Sequence, residues 1–130
     1  MNLAALDYVI LIVEDLDRAV KFYREVLGLP LSHRSGEYAQ FATGGTRFGL
    51  YTRKGMGQTL GAPLAKPAED APGFEIGFKV SDVDRAFSEL VALGASPAVS
   101  PATRPWGQRT AYVRDPDGHL IELAQDLRSS

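Results

Sequence analysis

The sequence predicts an α+β fold in which one strand–helix–three-strand unit is built twice. Three observations carry that reading. Val13-Glu14-Asp15-Leu16-Asp17-Arg18-Ala19 returns 67 residues later as Val80-Ser81-Asp82-Val83-Asp84-Arg85-Ala86, with five of the seven positions identical in a chain of 130 residues. Each copy follows a β-rich apolar stretch and leads into an amphipathic one. Each amphipathic stretch ends on glycine, at Gly28 and at Gly94. A repeated supersecondary unit buries its apolar face against its neighbour, so a site between the two copies would draw on equivalent positions of each half.

Leu6 to Val13 is apolar almost throughout, as expected of a strand covered on both faces. Asp15 or a neighbour caps a helix that places Leu16, Ala19, Val20, Tyr23, Val26 and Leu27 on one side. Gly28 ends it. Strands follow near Leu31–Ser35, Tyr38–Ala42 and Thr46–Thr52, with turns at Gly36 and Gly44-Gly45. Residues 53–73 are rich in Gly, Ala and Pro and have no clear period. They read as a linker, or as a lid or arm, between a first module at 1–52 and a second at 74–130. Phe74 to Val80 alternates, with Phe74, Ile76, Phe78 and Val80 on one face and Glu75, Gly77 and Lys79 on the other. A second helix carries Val83, Ala86, Phe87, Leu90 and Leu93, and strands follow near Ser96–Ser100, Gln108–Arg114 and His119–Ala124. Asp115-Pro116-Asp117-Gly118 has the residue preferences of a type I turn.

Composition narrows the partners. Hydrophobic content of 45% with 23% charged residues is globular. A net charge of −2, without any Lys/Arg run, argues against nucleic acid. No apolar run reaches membrane-spanning length, and no signal-type N-terminus is present. The absence of cysteine removes disulfides, thiolate nucleophiles and zinc–thiolate sites. The expected location is the cytoplasm.

These residues resemble a known superfamily. The doubled unit, the Asp-x-Asp-Arg-Ala helix start, Phe22-Tyr23 before Val26-Leu27-Gly28-Leu29, and Asp115-Pro116-Asp117-Gly118-His119-Leu120-Ile121-Glu122-Leu123 are similar to the vicinal oxygen chelate proteins. That superfamily includes glyoxalase I, extradiol dioxygenases, fosfomycin-resistance enzymes and bleomycin-resistance binding proteins. The resemblance implies two curved βαβββ modules in a half-open mixed β-barrel, paired across a homodimer. Because one scaffold carries several chemistries there, the fold does not name the reaction.

In metal-using members, each first strand supplies a His or similar ligand and each last strand a carboxylate. The matching positions here are Tyr8, Glu75, Gly49 and Glu122. Only Glu122 fits outright. Gly49 has no side chain, and Tyr8 is a poor ligand for a divalent ion because its pKa is high. Glu75 and Glu122 alone would suit Mg²⁺ or Mn²⁺ with several waters, and would suit Zn²⁺ or Ni²⁺ badly. The expectation is therefore no cofactor. His33, in a short polar strand, and His119, after the Asp-Pro-Asp-Gly turn, read as solvated surface residues rather than replacements.

Strand alternation puts Tyr8, Ile10 and Ile12, Glu75, Gly77 and Lys79, Arg47, Gly49 and Tyr51, and Leu120, Glu122 and Ala124 on the inward faces, with Trp106 near the mouth. The candidate ligand-binding set is Tyr8, Arg47, Tyr51, Glu75, Trp106 and Glu122. Aromatic rings stack on flat ligands and hold cations over their faces, and two carboxylates without a metal favour an amine or cation. Each has a blander role. Tyr8 and Tyr51 can fill a core, Trp106 can anchor a loop, and Arg47 or Lys79 can neutralise a glutamate internally. Glu122, a buried carboxylate, reads as functional or salt-bridged and is the best catalytic candidate. The acidic residues at the two helix starts serve the helix dipole.

Two functions follow from these residues and the resemblance. The first is binding of a small aromatic or cationic molecule without catalysis. The second is a metal-dependent lyase, isomerase or dioxygenase in which Glu75 and Glu122 hold the ion. A metal-free enzyme with Glu122 or Glu75 as base is a further variant.

Overall fold

In a computed structural model, residues 1, 6–68 and 73–127 are described. The chain forms two compact units, Met1–Lys66 and Pro67–Ser130.

The first unit runs β1 (Tyr8–Val13), α1 (Leu16–Lys21), β2 (Leu31–Ser35), β3 (Tyr38–Phe41), β4 (Arg47–Thr52) and α2 (Arg53–Leu60). Its sheet has the order β1-β4-β3-β2, with β1 parallel to β4 and the other neighbours antiparallel. The Asp15 carboxylate accepts the Arg18 N–H at 3.1 Å, so the first acidic residue of the repeat is the helix cap. Gly28 supplies the left-handed turn that ends the helix (φ +73°). Between them the sequence implies a regular helix, whereas Phe22–Val26 winds as a π-helical turn in which the Leu27 N–H bonds the Phe22 carbonyl at 3.1 Å. The wider turn brings two consecutive rings, Phe22 and Tyr23, into the core together. Tyr23 meets Phe48 edge-on at 4.9 Å. Leu11, Val13, Leu50 and Phe41 complete that core.

Two expectations need correction here. β1 is buried on one face only. Leu11 and Val13 are inaccessible, whereas Tyr8 and Ile10, which alternation turns to the opposite face, are 47% and 36% exposed. The segment expected to be a linker begins with a helix, α2. Thr52, the last residue of β4, accepts the Gly55 N–H at 2.9 Å and caps it. Gly55 and Gly57 hide the helical period, yet packing demands the first of them: a Cβ at Gly55 would lie 2.6 Å from the Tyr51 ring.

The second unit runs β5 (Glu75–Lys79), α3 (Val83–Ala92), β6 (Ser96–Thr103), β7 (Gln108–Arg114) and β8 (Leu120–Asp126). The strand order is β5-β8-β7-β6, again with the outer first strand parallel to the last. Asp82 caps α3 by accepting the Arg85 N–H at 3.2 Å, as Asp15 does in the first unit. Val83, Ala111 and Leu123 form a core against Val80, Ala86, Phe87 and Leu90. β6 extends three residues beyond Ser100. It contains Pro97 and Pro101, which lack an N–H, and its place at the sheet edge with two register shifts accommodates them. The Asp115–Gly118 turn closes with a 3.0 Å bond from the Gly118 N–H to the Asp115 carbonyl. The buried Asp115 carboxylate accepts the N–H groups of Asp117 and His119, both at 2.9 Å.

Candidate functional site

Register places the residues of interest in rows across each sheet. In the first unit Tyr8 pairs with Arg47, Ile10 with Gly49 and then Gln40, and Ile12 with Tyr51 and then Tyr38. The Arg47 guanidinium lies 4.7 Å above the Tyr8 ring and donates to the Tyr8 hydroxyl at 3.1 Å and to Asp7 at 3.3 Å. Cation–π contact and hydrogen bonding thus hold the two side chains as a pair.

Tyr38 leans along the sheet from the next row and covers Gly49. A Cβ built on Gly49 would lie 2.5 Å from the Tyr38 hydroxyl oxygen and 2.7 Å from its ring. The hydroxyl donates to the Gln40 side-chain oxygen at 2.9 Å. The ring packs against His33 at 5.8 Å and Tyr51 at 6.2 Å. Burial, then the nearby Tyr8, raises the Tyr38 pKa, opposed by Arg47. Tyr51 itself is tied to α2, its hydroxyl 2.9 Å from that of Thr59.

In the second unit the corresponding row is Gly77, Glu122 and Tyr112. The Tyr112 hydroxyl donates to a Glu122 carboxylate oxygen at 2.8 Å. The other oxygen lies 3.3 Å from where a Cβ of Gly77 would be, so this glycine makes room for the carboxylate. Burial first, then the bond to Glu122 and its charge, pushes the Tyr112 pKa up to about 12. Desolvation, then the charge of Glu122, raises the pKa of Glu75.

Glu75 and Glu122 are therefore brought together, and so are Tyr8 and Arg47. Neither basic residue neutralises a glutamate as the sequence allowed: Lys79 pairs with Asp126 at 2.6 Å, and Arg47 pairs with Asp7. Glu122 is half-buried and held by a phenol rather than a salt bridge. Trp106 is 66% exposed, its indole N–H fixed on Gln108 at 2.9 Å. His33 stands on the edge strand β2, where its ring packs against Tyr38. His119 lies against Phe74 at 5.8 Å.

Sequence reasoning missed Tyr38, Gln40 and Tyr112. All three sit on the middle strands β3 and β7, and the period-2 alternation of those strands is the signal that marks their inward face. Among the described residues no three His, Cys, Asp or Glu side chains group closely enough to hold a metal ion.

A sequence profile of the Glyoxalase/Bleomycin resistance protein/Dioxygenase superfamily matches residues 5–123. The chain belongs to that superfamily. This agrees with the vicinal oxygen chelate resemblance and with the doubled βαβββ order. The chain is 37% identical over 121 residues to the uncharacterized protein YraH of Bacillus subtilis, covering 90% of this chain and 94% of the relative. It is 30% identical over 130 residues to a probable lactoylglutathione lyase of Vibrio parahaemolyticus, covering 91% and 88%. Among solved structures, a glyoxalase/bleomycin resistance protein/dioxygenase from Nocardioides superposes with a TM-score of 0.84 at 26% identity, covering all of this chain and 88% of that one. No helix of the described residues is long and apolar enough to cross a membrane.

Proposed function

We propose that this protein binds a small aromatic or cationic molecule without catalysis and without a resident metal. One observation carries the reading: the Tyr38 phenol fills the space over Gly49 from which a last-strand ligand would project, with only 2.5 Å left for a Cβ. The residues present do not fit a four-ligand chelate. The first module offers Tyr8, paired with the Arg47 cation, and a glycine covered by a phenol. The second offers Glu75 and Glu122, and one oxygen of Glu122 already accepts the Tyr112 proton. What the two faces can do is recognise. The first is aromatic and suits a flat body. The second is acidic and suits an amine or cation. Exposure of Tyr8 and Ile10 on one sheet face supports extending the proposal to a homodimer, and the cytoplasm is its proposed location.

The test is a calorimetric titration of EDTA-stripped protein with Mg²⁺, Mn²⁺, Fe²⁺, Ni²⁺ and Zn²⁺, followed by flat aromatic amines starting from benzylamine. The expected result is silence with every ion and saturable heat with an aromatic amine, weakened by Glu122→Gln. Stoichiometric uptake of an ion, lost in that variant, would overturn the proposal. It would favour the second reading, a metal-dependent lyase, isomerase or dioxygenase, which the name of the Vibrio relative supports.

A further inference from the structure

Beside α2 the first unit holds a cleft of about 500 Å³ that nothing above employs. That size falls within the ~300–1,000 Å³ of small-molecule sites, although the cleft lies largely open to solvent. Its helical wall is Lys54, Gly57 and Gln58, spaced i, i+3, i+4 and hence on one face of α2, and the left-handed cap Gly61 continues it just past the helix end. This is a different face from the one carrying Gly55 and Thr59, which meets Tyr51. Two of the four positions are glycine, so the stripe leaves space where side chains would stand.

The opposite wall is Ala62, Pro63 and Leu64. It closes on the helix because Gly57 permits it: a Cβ there would lie 3.1 Å from the Ala62 carbonyl oxygen and 3.4 Å from the Leu64 nitrogen. The Ala62 N–H bonds the Gly57 carbonyl at 3.1 Å. Arg53 fixes the same segment by donating to the Ala65 carbonyl at 3.1 Å while pairing with Glu14. Its side chain is only 16% exposed. The cleft is therefore a held shape with an apolar side and a polar side.

Its charge has a sign. Arg53 and Glu14 cancel one another, whereas Lys54 has no ion-pair partner among the described residues. One turn further on, Gln58 adds amide N–H donors on the same face. We propose that this cleft binds a small carboxylate with a short apolar body. The carboxylate accepts from the Lys54 ammonium and the Gln58 amide, and the body lies along Ala62, Pro63 and Leu64. The proposal is independent of the ligand assigned to the strand faces.

The test is a ¹⁵N NMR titration of the whole protein with hexanoate, with hexylamine as the same body of opposite charge, and with inorganic phosphate as an anion lacking a body. Hexanoate is expected to shift the Gly57 and Gly61 amides saturably, and Lys54→Met to weaken it about five- to tenfold. Lys54 is exposed, so the variant folds, and the spectrum reports that directly. Equal binding of hexylamine, phosphate as tight as hexanoate, unchanged affinity in Lys54→Met, or no shift at either glycine would each overturn the proposal.

Discussion

Replacing Gly49 by Ala tests whether the Tyr38 phenol and a side chain at position 49 exclude one another. The new Cβ would lie 2.5 Å from the phenol oxygen and 2.7 Å from the ring, well inside contact distance. Tyr38 must move, and overpacking of this kind costs about 1–3 kcal/mol. Its bond to Gln40 is lost with the movement, at about 1 kcal/mol. Alanine in a strand interior returns about 0.5–1 kcal/mol relative to glycine. The phenol is the far end of a half-buried side chain and can swing outward, so the net expectation is about 2 kcal/mol. In a Tyr38→Ala background the obstruction is absent, and Gly49→Ala is expected to be neutral or stabilising by up to about 1 kcal/mol. The coupling is then about 2–3 kcal/mol, measurable by urea unfolding of the four proteins at one fixed concentration. Equal cost in the two backgrounds would refute the reasoning, because the strain would then lie in the backbone rather than under the phenol.

Two further outcomes follow from the geometry. The Tyr112 pKa, raised from 10 to about 12, means that the folded protein keeps a proton its unfolded chain has lost. That contribution is fully present below pH 10 and is lost as the pH rises toward about 12. In Glu122→Gln the Tyr112 midpoint, followed by the ¹³Cζ shift, falls part of the way toward 10; an unchanged midpoint would remove Glu122 as a cause. Separately, Asp15→Ala and Asp82→Ala should each cost about 1 kcal/mol in urea unfolding, since each carboxylate accepts an N–H of its own helix; restoration by Asn but not by Leu identifies capping as the reason.

By itself the sequence determined the repeat and most of what the repeat entails. Asp15 and Asp82 are caps, Gly28 and Gly94 are stops, and the strand order within each unit follows from alternation and turn residues. These are local properties, fixed by periods of 2 and 3.6 and by side chains that bond their own backbone, so they can be read in one dimension. The family was legible for the same reason. α2 was not, because its glycines read as breakers until the Tyr51 ring is seen to require one of them. The candidate site was legible only along single strands. Tyr8, Gly49, Glu75 and Glu122 could be named from strand alignment, but not Tyr38 over Gly49 or Tyr112 on Glu122. Those contacts join neighbouring strands whose register and side-chain lean arise only when the sheet forms. Tertiary structure therefore decided which partner each carboxylate and each cation would take, since a charge settles on whichever neighbour packing brings within hydrogen-bond reach.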